Sequence, residues 1–221
     1  MFYYYGRKKK IAGLYPDPIL DSDFIIEPFA GSGAYSLFGN RWEKQVLLYD
    51  TNIIVYKIWN YLLQASIKDI ESLPILQYRD DLRNYQLLSE EEKYIIGFAI
   101  NPGSVRPGNI ATKFSRWNAN KKYIIDNLYK IKHWKIYNQS FETINNMRST
   151  WFIDPPYFKE GIYYNSNLDY NFLSNWCMDR IGLQIVCESD SGNWLPFQEL
   201  CTITAIGKRK PKEYVYINYL N

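Results

Sequence analysis

The feature that most limits how this chain can fold is a short apolar run that ends in a carboxylate and breaks at once into a glycine turn. It reads Phe24-Ile25-Ile26-Glu27, then Pro28-Phe29-Ala30-Gly31-Ser32-Gly33-Ala34. So short a run suits a buried strand, and the proline and glycines bound it. The segment therefore predicts a strand entering a tight turn, with a helix after the turn. A second run, Gln45 to Tyr49, ends at Asp50. Asn52 to Leu63 then has helical spacing, in which Ile54, Ile58, Tyr61 and Leu62 can share a face. Strand, helix, strand and helix in that order favour a parallel sheet.

Further along, Ser89-Glu90-Glu91-Glu92 is a capping-box start for a helix reaching about Ile100, where Pro102-Gly103 stops it. From Asn101 to Ile125 there is no acidic residue, while Arg106, Lys113, Arg116, Lys121 and Lys122 are all basic. The formal charge of the whole chain is only +3, so a nucleic-acid surface has to come from such local clustering. A solvated loop with a basic helix face is the alternative. Trp117 to His133 again has helical character, followed by a strand near Trp134 to Tyr137. Trp151-Phe152-Ile153 is a short apolar strand that delivers Asp154-Pro155-Pro156-Tyr157. Tyr170 to Arg180 then reads as a helix and Leu183 to Cys187 as another buried strand. Cys201 to Ile206 and Tyr214 to Leu220 flank Gly207 to Lys212, the pattern of a terminal antiparallel hairpin. A chain of 221 residues, 47% hydrophobic and 22% charged, can bury one core with a small inserted lobe.

Ligands of an open α/β sheet sit at the carboxyl ends of its strands, where the strand order reverses. Gly31 and Gly33 would let a cofactor approach the backbone, because no side chain fills the space. The pattern runs G-x-G-x-x-Ser36, a poor match to a dinucleotide cradle. Asp50, ending the next strand, can accept hydrogen bonds from ribose hydroxyls, or it can cap the helix near Asn52. In Asp154-Pro155-Pro156-Tyr157 the prolines fix φ and remove two donors, leaving carbonyl acceptors beside a carboxylate and a ring. Such a cluster can accept both hydrogens of an exocyclic amine on Asp154 and a proline carbonyl, aiming the nitrogen lone pair at an electrophile. Tyr157 can stack on the base; a plain turn with a capping aspartate is the alternative. Cys177, Cys187 and Cys201 form no C-x-x-C pair and His133 is the only histidine, so no zinc or histidine-based cluster is expected. The cysteines fit a reducing compartment. No run has the length of a membrane span, and no apolar stretch of signal-peptide length follows Arg7 to Lys10, so a soluble, uncleaved chain is expected.

Taken together, Glu27 to Ala34 and Asp154 to Tyr157 resemble the cofactor and catalytic motifs of the DNA adenine methylase family in its alpha-class order. Tyr4-Tyr5-Gly6-Arg7-Lys8 is similar to the family's N-terminal motif, Leu48 to Asn52 to its ribose-binding segment, Ser140-Phe141-Glu142 to the segment that packs the cofactor's adenine, and Glu213 to Tyr219 to its closing strand. Two positions depart: Arg7 stands where the family usually has a second glycine, and Ser140 where an acidic residue often precedes the aromatic. The resemblance implies S-adenosylmethionine as cofactor, held by Tyr4, Lys8, Pro28, Phe29, Gly31, Gly33, Asp50, Phe141 and Asp154, with Asp154, Pro155, Pro156 and Tyr157 catalytic. It implies double-stranded DNA as partner, reached through Arg106, Lys113, Arg116, Lys121 and Lys122, with no metal and no membrane.

The expected architecture is a Rossmann-like class I methyltransferase sheet closed by an antiparallel hairpin. Residues 1–64 and 134–221 would form the catalytic domain, and 65–133 a small, mostly helical target-recognition lobe. The expected activity is methyl transfer to the N6 amine of adenine in DNA, as in DNA modification or restriction-modification, in the cytoplasm of a bacterial cell or phage-infected host. Methylation of RNA or of a protein glutamine is the second reading, since related motifs serve those amines, and an inactive nucleic-acid-binding module is the third. The long stretch between Gly33 and Asp154 and the N-terminal position of Tyr4 to Lys8 favour the first.

Overall fold

A computed structural model describes residues 1–158, 168–203 and 211–221. Its centre is a seven-stranded sheet of β1 (Phe24–Glu27), β2 (Gln45–Tyr49), β3 (Lys135–Tyr137), β4 (Ser149–Ile153), β5 (Gly182–Glu188), β6 (Gln198–Thr202) and β7 (Lys212–Leu220), in the order β3-β2-β1-β4-β5-β7-β6. The first five run parallel, and β7 lies antiparallel between β5 and β6. β1 leads outward to β2 on one side and pairs with β4 on the other, so the strand order reverses between β1 and β4. Their carboxyl ends carry Glu27 and Ile153, which places the glycine turn and Asp154-Pro155-Pro156-Tyr157 side by side.

Alternation along the strands divides the core between two faces. Ile25, Phe152, Ile185 and Cys187 point into one cluster with Trp59, Phe98 and Trp117. Ile26, Trp151, Ile153 and Val186 point into the other with Phe141, Leu173 and Trp176. The first face is covered by α1 (Ile53–Gln64), whose Val55, Ile58, Trp59 and Leu62 are buried at helical spacing. Behind it lie α2 (Ile67–Ser72), α3 (Glu90–Ile100) and α4 (Trp117–Asn127), and the apolar core continues into them through Ile70, Ile95, Ile96, Phe98 and Trp117. The second face is covered by α5 (Tyr170–Met178), capped by Asp169, whose carboxylate accepts from the Asn171 and Phe172 amides. No described helix is long and apolar enough to cross a membrane.

Several expectations are met closely. The capping box at Ser89 forms, with Glu92 N donating to Ser89 Oγ at 3.2 Å and Ser89 N to Glu92 Oε2 at 2.8 Å. Gly103 (φ +85°) follows α3, whose C-cap is Asn101. Others are corrected. No helix follows the glycine turn: Ser36 donates both N–H and Oγ–H to the buried Glu27 carboxylate at 3.1 and 2.5 Å, so its amide is taken out of a helical ladder, and Gly39 (φ +57°) turns the chain away. The buried face of α1 is centred on Val55 and Trp59; Ile54 and Tyr61 are only partly buried. The helix expected over Trp117 to His133 ends at Asn127 and tightens to a 3₁₀ turn over Leu128–Ile131. The terminal hairpin is formed by β6 and β7, while residues 204–210, which include the end of the Cys201 to Ile206 segment, lie outside the described residues.

Candidate active site

A cavity of about 350 Å³ opens at the β1/β4 reversal. Its walls come from the Tyr4–Lys8 segment, the β1 turn, Asp50 to Asn52 after β2, Ser140 to Glu142, and Asp154 to Tyr157 after β4. Most of the residues singled out in the sequence converge here: Tyr4, Lys8, Phe29, Gly31, Asp50, Phe141, Asp154, Pro155, Pro156 and Tyr157 all line it. Pro28 and Gly33 do not. Gly33 (φ +60°) faces protein instead, since a Cβ there would lie 2.7 Å from the Trp59 ring. Gly31 (φ +43°) makes room for the Tyr4 ring, 3.2 Å from where its Cβ would stand. Both glycines are thus required by close-packed aromatic rings of the protein as well as by the left-handed backbone.

Asp50 does not cap α1; Asn52 does, accepting from the Ile54 amide at 3.0 Å. The Asp50 carboxylate instead accepts from Gly31 N at 3.0 Å and Asn52 N at 2.8 Å, which ties the ends of β1 and β2 together. Burial pushes its pKa up to about 6 despite those two bonds. Asn52 Nδ2 donates to the Tyr4 hydroxyl at 3.3 Å, and Trp59 Nε1 to the Gly31 carbonyl at 2.8 Å, so this wall is held from several directions. Also in the lining, the Phe29 and Phe141 rings stand 5.4 Å apart, and Phe141 packs edge-on to Trp176.

The Asp154 end is a buried charge cluster. Lys8 Nζ lies 2.9 Å from Asp154 Oδ1 and 3.7 Å from Glu213 Oε1, donates to the Gly6 carbonyl at 3.1 Å and sits 4.7 Å from the centre of the Tyr157 ring. Glu213 Oε1 accepts from the hydroxyls of Tyr157 at 2.7 Å and Tyr15 at 2.8 Å. Burial works against the Lys8 charge, but Asp154 and Glu213 more than offset it and raise its pKa. Burial raises Asp154 and Glu213 against the pull of Lys8. Ligand atoms of Asp154, Cys187 and Glu213 lie within 4.8 Å of one another, and the lysine ammonium already contacts the two carboxylates. Glu213 and Tyr15 were not singled out from the sequence. The available signal was a carboxylate sharing the inward phase of β7 with Val215. Tyr170 donates to the Pro156 carbonyl at 2.6 Å, and Glu188 at the end of β5 accepts from Phe158 N, Ser189 N and Trp194 Nε1. Both fix the exit of the Asp154–Tyr157 segment.

The basic residues divide. Arg106, Lys113, Arg116 and Lys122 are exposed and stand apart from the cavity lining. Lys121 is buried and donates to the Glu71 and Leu73 carbonyls at the end of α2, so it is a helix-terminus cap rather than part of a nucleic-acid surface. Tyr78 and Arg79, which no sequence motif marks, join the exposed group: Arg79 N donates to the Ala111 carbonyl and Ala111 N to the Asp80 carbonyl, each at 2.8 Å, which brings Tyr78-Arg79 next to the segment bearing Lys113 and Phe114. Arg79 takes φ +71°, and Tyr78 and Phe114 are 64% and 65% exposed, with the Arg79 guanidinium over the Tyr78 ring and the Lys113 ammonium over the Phe114 ring, each at 5.2 Å.

A parallel sheet with a strand-order reversal between β1 and β4, an antiparallel β7 inserted between β5 and β6, and a cavity lined by both reversal-point turns define a Rossmann-like α/β fold of the methyltransferase type. Residues 4–99 match the family described as D12 class N6 adenine-specific DNA methyltransferase, which bears out the resemblance read from the Tyr4, Glu27 and Leu48 segments; Asp154 to Tyr157 lie beyond the matched residues. Among curated proteins none matches. Among solved structures, a protein of Escherichia coli titled "Putative methyltransferase yhhF" is 12% identical, with a TM-score of 0.38, covering 90% of this chain and 76% of that one. A "putative methylase" of Haemophilus influenzae is 13% identical with a TM-score of 0.39, covering 90% and 80%. A "conserved hypothetical protein" of Streptococcus pyogenes is 12% identical with a TM-score of 0.36, covering 88% and 85%.

Proposed function

We propose that this chain transfers a methyl group from S-adenosylmethionine to the N6 amine of adenine in double-stranded DNA, in the cytoplasm. The observation that carries the reading is the convergence of Asp154-Pro155-Pro156-Tyr157 with the Gly31 turn and Asp50 around one cavity. The cavity suits a nucleoside joined to an amino acid. Phe29 and Phe141 offer rings for a base, and Asp50 has carboxylate lone pairs for ribose hydroxyls beyond those used by Gly31 and Asn52. When bound, S-adenosylmethionine supplies the electrophilic methyl group.

Asp154 accepts one hydrogen of the target amine and the Pro155 carbonyl accepts the other, which orients the nitrogen lone pair toward the methyl group. Lys8 holds Asp154 Oδ1 in place, and Glu213 holds the Tyr157 hydroxyl so that the ring presents a face to the base. No strong base is needed, because the amine becomes acidic only as the methyl group arrives and a carboxylate or water then takes the proton. A base in duplex DNA must leave the stack to reach this cavity. Arg106, Lys113, Arg116 and Lys122, with Arg79, supply phosphate contacts, and Tyr78 and Phe114 supply exposed rings. Residues 65–133 act as the target-recognition lobe.

Methyl-labelled S-adenosylmethionine offered with unmodified duplex DNA, RNA or a glutamine-containing peptide tests the acceptor class. Label in the DNA alone is expected; transfer confined to RNA or peptide contradicts the reading.

A further inference from the structure

Lys8, the cation that the N-terminal motif would offer to the amino-acid end of the cofactor, is already engaged. Its ammonium has three hydrogens, and it faces Asp154 Oδ1, Glu213 Oε1 and the Gly6 carbonyl. The neighbouring Arg7 is different. It lines the same cavity and forms no ion pair among the described residues. Its guanidinium packs over the Tyr3 ring at 5.0 Å, while its Nε is buried without a hydrogen-bond partner among the described residues. Burial lowers its pKa from the usual arginine value. A charged donor kept from water without an acceptor is costly, and a planar fork of N–H groups matches a carboxylate.

Position narrows the ligand group. The Tyr4–Lys8 segment runs from the Gly31 turn, where the Tyr4 ring packs, to Asp154, where Lys8 pairs. Arg7 lies within that segment, next in the chain to Lys8, and lines the cavity; the carboxylate of the amino-acid end is the anionic group that the cofactor would bring to an unpaired cation there. The related family motif usually has glycine at this place, which has no charge to offer.

We infer that Arg7 is a binding residue for the carboxylate of the cofactor's amino-acid end. The inference rests on the methyltransferase reading, and calorimetry separates the two. Wild type, Arg7→Gln and Arg7→Lys are titrated with S-adenosylmethionine, with its decarboxylated analogue and with duplex DNA. Arg7→Gln should weaken S-adenosylmethionine by about 10- to 100-fold, the range of a charge-assisted hydrogen-bonded pair, and leave the decarboxylated analogue unchanged. Arg7→Lys should show a smaller loss, again for S-adenosylmethionine alone; it also decides the matter if the glutamine variant is unfolded by circular dichroism. Unchanged S-adenosylmethionine affinity in Arg7→Gln, or an equal loss for both ligands in Arg7→Lys, overturns the assignment. So does a loss confined to DNA with a shallower salt slope, which would give the guanidinium to a phosphodiester. Failure of wild type to bind S-adenosylmethionine at all would instead overturn the methyltransferase reading.

Discussion

Asp154 and Asp50 show how far single residues can be read before a fold is known. Asp154 stands out because two prolines follow it, and the fold brings it to the cavity. What the sequence does not show is that Lys8 and Glu213, remote in the chain, surround it. Since Asp154 is assigned to orientation, Asp154→Ala should abolish most single-turnover methylation at saturating cofactor while leaving DNA affinity near wild type. A rate within about threefold of wild type would remove Asp154 from the reacting centre. Asp50 gives a pH test. Burial raises its pKa to about 6, above the ordinary range of an aspartate. The folded protein therefore binds this proton more tightly than the unfolded chain, and Asp50 lowers stability as pH rises from the ordinary aspartate range through that value. Cofactor affinity should move the other way if the ionised form receives ribose hydroxyls. It should rise as pH increases through about 6, and this component should be absent in Asp50→Asn. A profile identical in wild type and Asp50→Asn would leave Asp50 as a tie between β1 and β2 only.

At the level of elements, strands and capped helices are legible because their signals are local. The α3 capping box needs only Ser89 and Glu92, and Ser89→Ala should destabilise the protein by about 1 kcal/mol, seen as a melting temperature lower by about 2–4 °C for a chain of this size. The misread elements depend on remote partners. Trp59, with its indole bonded to Gly31 and its ring against Gly33, fixes the rotation of α1 more firmly than the apolar pattern does. The buried Glu27 captures Ser36 and prevents the helix expected after the glycine turn. Lys121 resembles its basic neighbours in sequence, yet its ammonium is taken by the carbonyls that end α2. The exposed basic segment supports another test. Neutralising Arg106, Lys113 and Arg116 together should lower DNA affinity and reduce the logarithmic salt slope by about 0.9 for each phosphate that is no longer neutralised. Cofactor affinity should survive, and an unchanged slope would make the segment a solvated face.

Across the whole molecule, the sheet brings together segments far apart in sequence, and only that convergence turns separate weak motifs into a site. Tyr4 to Lys8, the β1 turn, Asp50, Phe141 and Asp154 meet because the order reverses between β1 and β4. The parallel half is readable from alternating strands and helices, whereas the placement of β7 between β5 and β6 follows from a long-range pairing that no local pattern encodes. The helices of the 65–133 segment share one apolar core with α1 and the sheet, so the exposed basic surface is carried on elements packed against the part of the molecule that bears the cavity. The central claim is that this arrangement methylates the exocyclic amine of adenine. Its most direct test is to digest duplex DNA to nucleosides after incubation with enzyme and isotopically labelled S-adenosylmethionine, then locate the label by mass spectrometry. The account predicts label in N6-methyl-2′-deoxyadenosine; label in a methylated cytosine instead, or none in DNA while the enzyme binds cofactor, would contradict it.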